Sequence, residues 1–184
     1  MELLRCKACG YLIKESKLGD VCPACGVARK FFEPFHENFS KKRRIILGLD
    51  LHPIMMHFPQ AFTPIIALFI LLGVALDPVT GHYLLVTVRV LSVFLPLCVI
   101  GAFVCGLIDG KTRFKRLTTP SLVMKMSIGS IFIILSIAMA AVAVRYGTEY
   151  PGRLFLLLLS FGCIACQVAL AQIGKTLINA KLPG

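Results

Sequence analysis

The chain has 184 residues, of which 57% are hydrophobic and 16% are charged, and its mean hydropathy is +0.83. Globular proteins carry about 25% charged residues. The charge is also uneven, because residues 1–50 hold 16 of the 29 charged side chains. This composition excludes a single soluble domain, a disordered chain, a coiled coil and a nucleic-acid-binding domain. It predicts a short soluble head followed by an integral membrane domain.

Two C-x2-C pairs, Cys6/Cys9 and Cys22/Cys25, lie in the first 40 residues with twelve residues between them. Four thiolates on two tight turns are typical of a tetrahedral metal site. A glycine follows each pair, which lets the chain turn sharply so that backbone N–H groups can point at the sulfurs. Disulfides are disfavoured, because the basic cluster that follows indicates a reducing compartment. The spacing alone leaves iron and zinc open, since both accept four thiolates.

The stretch 4–35 resembles the short rubredoxin domains of the rubrerythrin type. The matching segments are C-x2-C-G-Y from Cys6, V-C-P-x-C-G-V from Val21 and K-F-F-E-P from Lys30. The resemblance implies that the four cysteines hold one iron, which carries a single electron. The chain departs from the family in lacking tryptophan and in its basic loop at 14–17. A structural zinc ribbon therefore stays open as the alternative.

A run of four basic residues, 41–44, follows the head. Such a run beside an apolar span binds anionic lipid head groups. The sequence therefore predicts three parts. These are a rubredoxin-like metal-binding domain in residues 1–40, a basic juxtamembrane linker in residues 41–50, and a four-helix transmembrane domain in residues 51–184.

Four apolar stretches fill the second part of the chain, and each is long enough to cross about 30 Å of hydrocarbon as a helix. Short polar turns join them, which predicts an all-α, up-down bundle of four transmembrane helices. The stretches contain no Asp or Glu. That absence disfavours a proton pump with buried carboxylates and a cation channel with an acidic ring. The stretches cover residues 54–76, 83–108, 122–144 and 154–173.

The basic residues beside the spans predict the orientation of the bundle. Arg145 and Arg153 lie on one side, and ten lysines and arginines lie on the other. Because positive charge accumulates on the cytoplasmic side, the head and both termini are expected in the cytoplasm, with the bundle in the inner membrane. The ten are Lys41, Lys42, Arg43, Arg44, Lys111, Arg113, Lys115, Arg116, Lys175 and Lys181.

Two histidines open the first span in the motif H-P-x-x-x-H-F-P, which begins at His52. Pro53 suits the first helical position, which places His52 near the N-cap. His57 lies five residues further on, a rotation of about 140°, so the two rings do not share a face of a regular helix. Lys125 and Gln167 are expected at a similar depth and could converge with His57 inside the bundle. Lys125 could instead extend to the surface.

The motif resembles that of an uncharacterised family of small bacterial four-helix membrane proteins, and the resemblance covers most of residues 51–175. It implies a redox or cofactor role, which makes His52, His57, Lys125 and Gln167 candidates for a haem b or quinone site. An interfacial histidine pair that caps the helix and binds head groups is the alternative. A bis-histidine haem fits poorly, because the remaining membrane-domain histidine, His82, is expected on the opposite side. A His–Met haem or a haem shared by a dimer stays open.

These features predict a membrane-anchored electron-transfer protein. Its iron–tetracysteine head would exchange single electrons between a soluble cytoplasmic redox protein and a haem or quinone site at the cytoplasmic end of the bundle. One alternative is a membrane scaffold or small transporter whose zinc ribbon docks a cytosolic partner, and another is a sensor of oxidants. The sequence leaves open the redox partner, the direction of electron flow, the oligomeric state and whether the protein is an enzyme.

Overall fold

A computed structural model describes residues 3–36, 45–46, 48–114 and 117–178 of the chain. These residues form two compact units, a head that extends to residue 36 and a helical domain between residues 45 and 177. The predicted domain boundary at residue 40 lies outside the described residues. So do seven of the basic residues on which the predicted orientation depends, which are Lys41, Lys42, Arg43, Arg44, Lys115, Arg116 and Lys181.

The head is built on a small antiparallel sheet of three strands with β1 in the centre. β1 ends at Cys6, so the central strand leads directly into the first cysteine turn. Two single turns of 3₁₀-helix, Glu15–Lys17 and Arg29–Phe31, lie between the strands. The strands are β1, Leu3–Cys6; β2, Leu12–Lys14; and β3, Phe32–Phe35.

Four long helices form the second unit, and each contains an apolar stretch long enough to cross a membrane. This confirms the four predicted spans. The second helix is longer than predicted. At about 1.5 Å per residue it reaches about 55 Å, well beyond the ~30 Å of bilayer hydrocarbon. The helices are α1, Leu51–Ala75; α2, Pro78–Phe114; α3, Pro120–Arg145; and α4, Gly152–Ile178.

The first helix begins earlier than the sequence predicted. The backbone N–H of Ile54 donates to the carbonyl oxygen of Asp50 at 3.1 Å, so Asp50 is the N-cap residue. Pro53 is then the third helical residue, where its missing N–H leaves no gap because the first turn has no intrahelical acceptors. His52 therefore lies near the N-cap, as predicted, although Pro53 is the third helical residue rather than the first. His52 is the second residue of α1.

The turn between α1 and α2 is short and capped by Asp77. Its carboxylate accepts hydrogen bonds from the backbone N–H groups of Thr80 at 3.0 Å and Val79 at 3.1 Å. These bonds, led by that from Thr80, lower the pKa of the Asp77 carboxyl below its usual value. Pro78 occupies the first helical position, where its fixed φ favours a helix start. A two-residue connection therefore reverses the chain and makes α1 and α2 antiparallel neighbours.

The backbones of α1 and α2 touch at this turn. A Cβ atom built on Gly81 would lie 2.6 Å from the carbonyl oxygen of Gly73, closer than real Cβ contacts. Small residues at such crossings let membrane helices approach closely. At the opposite end of the same helix pair, His52 in α1 contacts Ala102 in α2. We call these two ends of the bundle the Gly81 end and the His52 end.

The bundle interior is apolar, and the described part of each helix contributes one buried hydroxyl side chain. Three of the four hydroxyls donate to carbonyl oxygens of their own helices, because hydrocarbon offers no water to bind. The thiol of Cys163 is also buried, 3.6 Å from the sulfur of Met139, where it packs as a small apolar side chain. The four hydroxyl residues are Thr63, Ser92, Ser136 and Ser160.

The outward surface of the bundle is apolar. Leu97 on α2 is 66% exposed, Ile134 on α3 is 65% exposed and Leu158 on α4 is 59% exposed. Aliphatic side chains at that exposure would be unfavourable in water, but they are the surface that lipid tails cover. The helical domain therefore belongs in a bilayer, as the hydropathy of the sequence predicted.

We expect Gly81→Ala to lower the free energy of unfolding of the detergent-solubilised protein by about 1–3 kcal/mol, because the added methyl group overpacks a backbone contact. Gly162→Ala is the matched control. Its Cβ would meet only Leu135 Cδ1, at an ordinary 3.4 Å. Thermal unfolding followed by circular dichroism measures both variants. Equal stability of the two would contradict a close contact between Gly73 and Gly81.

Candidate functional site

The four cysteines of the head bring their sulfurs together at one point. All four Sγ atoms lie within 4.8 Å of one another. The Cys6–Cys25 and Cys9–Cys22 pairs are each separated by 3.8 Å. That distance is far above the ~2.05 Å of a disulfide. It equals the edge of a tetrahedron whose centre lies about 2.3 Å from each sulfur, the usual metal–thiolate distance. The cluster therefore has the dimensions of a four-thiolate metal site.

The two cysteine turns have the same backbone conformation. In each turn the glycine after the pair donates its N–H to the carbonyl oxygen of the first cysteine, Gly10 to Cys6 at 2.8 Å and Gly26 to Cys22 at 2.9 Å. Both glycines have a backbone φ of +76°, a conformation that residues other than glycine rarely adopt. The predicted role of the glycines is thus confirmed in the backbone geometry.

Backbone N–H groups also bind the sulfurs. Although burial opposes ionisation, hydrogen bonds from the N–H groups of Ala24 and Cys25 lower the pKa of the Cys22 thiol to about 7. At Cys25 the N–H of Val27 acts in the same direction, but the three neighbouring sulfurs and burial together outweigh it and the pKa rises to about 12. Four sulfurs this close can all be ionised only if a cation shares their charge. The donor set therefore suits a metal ion.

The metal site is buried on one side and open on the other. Cys6 and Cys22 are buried, Cys9 is half-buried and Cys25 is exposed. The first cysteine of each pair thus anchors the site in the head, and the second lies nearer the surface. A group bound here would be reachable from solution through Cys25.

Comparison with known proteins gives a match for this part of the chain. Residues 5–33 match the protein family described as rubrerythrin, rubredoxin-like domain. The head is a rubredoxin-like domain. No curated protein and no solved structure gave a significant match. The match covers the metal site and leaves the helical domain to be interpreted from its own residues.

A histidine and a lysine meet at the His52 end of the bundle. The His52 ring is half-buried, with Nδ1 3.0 Å from the carbonyl oxygen of Ala102 and Nε2 3.4 Å from Nζ of Lys125. A carbonyl oxygen can only accept, so Nδ1 donates. A lysine ammonium can only donate, so Nε2 accepts. With Lys125 in its ammonium form, the ring is neutral and carries its proton on Nδ1.

The other two predicted residues of this site do not join the His52–Lys125 pair. His57 is exposed on a different face of α1. Gln167 donates from Nε2 to the carbonyl oxygen of Pro59 at 2.7 Å and to Oγ1 of Thr63 at 2.8 Å. These contacts tie α4 to α1 about 10 Å further along α1 than His52. Lys125 turns to His52 rather than to the surface.

Two backbone features of α2 complete the surroundings of His52, and the sequence did not indicate either. One is the carbonyl oxygen of Ala102. The other is Gly106, where a Cβ atom would lie 2.9 Å from Cε1 of the ring. Ala102 and Gly106 are four residues apart and therefore share a face of α2. Two small residues at that spacing could have marked this face as a place where another helix packs. Nothing in the sequence tied that face to α1.

We expect Cys22→Ser to reduce the metal content of the purified protein from about one ion per chain to near zero. The change removes a buried ligand and its two N–H···S hydrogen bonds, and the metal is expected to supply much of the head's folding energy. Cys98→Ser in α2 is the matched control and should keep full metal content. Elemental analysis by mass spectrometry measures both variants. Equal metal content in the two variants would show that Cys22 is not a ligand.

Proposed function

We propose that the protein is a membrane-anchored electron-transfer protein. Its rubredoxin-like head binds iron and exchanges single electrons with a soluble redox protein in the cytoplasm. The membrane-side partner of the head is haem or quinone at the His52 end of the bundle. The observation that carries the proposal is the presence, in one chain, of a tetracysteine head and a membrane bundle that packs a histidine–lysine pair among its helices.

The residues of the head suit iron in this role. Iron in a tetrathiolate site supplies a one-electron couple whose potential depends on hydrogen bonds to the sulfurs and on solvent exposure. Tyr11 and Val27 present backbone N–H groups to the sulfurs of Cys9 and Cys25, which disperses negative charge. The exposure of Cys25 leaves one edge of the site open to a soluble partner.

Charge supports a cytoplasmic position for the His52 end. Lys111 and Arg113 lie near the end of α2, and Lys175 lies near the end of α4. Arg145 and Arg153 are the basic residues beside the loop between α3 and α4. With the further basic residues of the sequence, the balance is ten to two, which favours the His52 end as the cytoplasmic one.

We expect the full-length protein, purified anaerobically from iron-replete cells, to contain about one iron per chain. The ferric form should absorb in the visible through thiolate-to-iron charge transfer, and dithionite should bleach that band, because reduction adds one electron to the site. Metal analysis together with the optical spectrum measures this. A haem band in the same spectrum would identify the membrane-side cofactor.

Protein reconstituted with zinc serves as the matched control and should be colourless in both states. One zinc per chain and a featureless spectrum after iron-replete expression would overturn the electron-transfer proposal. It would favour a scaffold or small transporter with a structural zinc ribbon.

We expect alkaline phosphatase inserted after Thr148, in the loop between α3 and α4, to be active in a bacterial host. The same enzyme inserted after Thr118, between α2 and α3, should be inactive, because alkaline phosphatase folds only outside the reducing cytoplasm. Immunoblots normalise the two activities to expression. The reverse pattern would place the head outside the cytoplasm and contradict the proposed soluble partner.

A further inference from the structure

The His52–Lys125 pair has properties that the electron-transfer role does not by itself require. Lys125 is the sixth residue of α3, within a membrane span, and is half-buried. A lysine inside a span is costly unless its ammonium has partners. Among the described residues, Lys125 Nζ has one hydrogen-bond partner, Nε2 of His52 at 3.4 Å, and no carboxylate within ion-pair distance. Two of its three N–H donors therefore remain available for an oxygen atom.

The neighbouring acidic residue is already paired. Asp109 lies on α2 and forms an ion pair with Arg113 at 3.6 Å, one turn later on the same helix. Its charge acts on Lys125 only at longer range. No described carboxylate contacts the Lys125 amine, so the charge of its ammonium form is not neutralised by contact.

Glycines of two helices border the two polar side chains. The His52 ring packs directly against the backbone of α2 at Gly106, and a Cβ atom built on Gly174 of α4 would be 3.8 Å from Lys125 Nζ. The ring therefore fills the space at Gly106, whereas no side chain at position 174 covers the Lys125 ammonium. A ligand would have to approach the ammonium from the Gly174 side.

The same geometry argues against haem ligation by His52. A haem ligand must turn an unprotonated nitrogen towards iron, and Nε2 of His52 faces the Lys125 ammonium instead. Nδ1 is occupied by the Ala102 carbonyl oxygen. The chain has four histidines, and of the other three, His36 is in the head, His57 is exposed on another face and His82 is near the Gly81 end.

We propose that the His52–Lys125 pair binds the carbonyl oxygen of a quinone. The Lys125 ammonium donates to that oxygen, and His52 fixes the lysine through its unprotonated Nε2. This inference rests on the proposed function and names its membrane-side partner. Reduction of one quinone to a quinol takes two electrons and two protons. The one-iron head therefore passes from ferrous to ferric twice for each quinone and is re-reduced each time by the soluble redox protein. The Lys125 ammonium delivers each of the two protons and is then reprotonated from water.

Binding of a quinone tests the inference without any electron transfer. The full chain, loaded with zinc and reconstituted in quinone-free phospholipid nanodiscs, is titrated with an oxidised short-tail ubiquinone carrying ¹³C at its carbonyls. Equilibrium dialysis gives the dissociation constant, and isotope-edited infrared difference spectroscopy gives the carbonyl frequency. We expect one saturable site per chain and a lowered carbonyl frequency in the bound state, because a charged donor weakens the C=O bond.

Substitutions at the pair provide the decisive comparison. Lys125→Met should weaken quinone binding roughly 10- to 100-fold, the range for loss of a hydrogen bond to a charged donor. It should also remove the frequency shift. Lys175→Met, which removes an exposed lysine from α4, should bind like the parent. Gly106→Ala should weaken binding without removing a donor, because its methyl group displaces the His52 ring.

Three results would overturn the quinone site. They are absence of saturable binding, an unshifted carbonyl in the parent protein, and equal affinity of the parent and Lys125→Met. The parent spectrum decides the question even if the Lys125 variant fails to fold. Because zinc-loaded protein is used, a head that proves unable to carry electrons leaves this measurement intact. Failure of the proposed function and failure of the quinone site are therefore separate results.

Discussion

The inability of hydrocarbon to form hydrogen bonds governs the membrane domain. A polar group inside the bundle is costly unless it finds a partner within the protein, which is why the backbone is helical throughout the spans. Among the buried side chains of the described residues, the hydroxyl of Ser92 is the exception that has no partner. The same requirement explains the side chains. Gln167 satisfies its amide on a carbonyl and a hydroxyl of α1, and His52 satisfies its ring on a carbonyl of α2 and the ammonium of Lys125. Lys125 differs from these residues because it has more N–H donors than described acceptors. This excess of donors is what supports the binding of a ligand at this end of the bundle.

The head is organised by its metal site rather than by an apolar core. The sheet has strands of only four, three and four residues, and of the three buried hydrophobic residues in the described part of the head, two are the ligands Cys6 and Cys22 and the third is Leu18. Small domains of this kind depend on metal for their stability. The two units are therefore stabilised differently. The head depends on four thiolates around one metal site, whereas the bundle depends on the packing of apolar helices.

The sequence was sufficient to predict those parts of the structure that depend only on residues close together in the chain. The C-x2-C-G repeats predicted the metal site, because a cysteine turn needs only six consecutive residues. The hydropathy of the spans predicted the four helices, because an apolar stretch of more than 20 residues has few alternatives. Contacts between helices were predicted less well. Residues His57, Lys125 and Gln167 were placed together by depth alone. Which of these side chains meet depends on where α1 begins and on which residues pack against Gly106 and Gly174, and a single sequence reveals neither.

The length of α2 has a consequence for the surroundings of His52. A helix of about 55 Å in about 30 Å of hydrocarbon must tilt or extend beyond the lipid. This helix also supplies the carbonyl oxygen of Ala102 and the open backbone at Gly106, against which the His52 ring lies. Its contact with α1 at Gly73 and Gly81 brings the two backbones together at the opposite end of the helix pair. A change in the angle between α1 and α2 about that contact would therefore alter the spacing between the imidazole ring and α2 more than it alters the spacing at the Gly81 end.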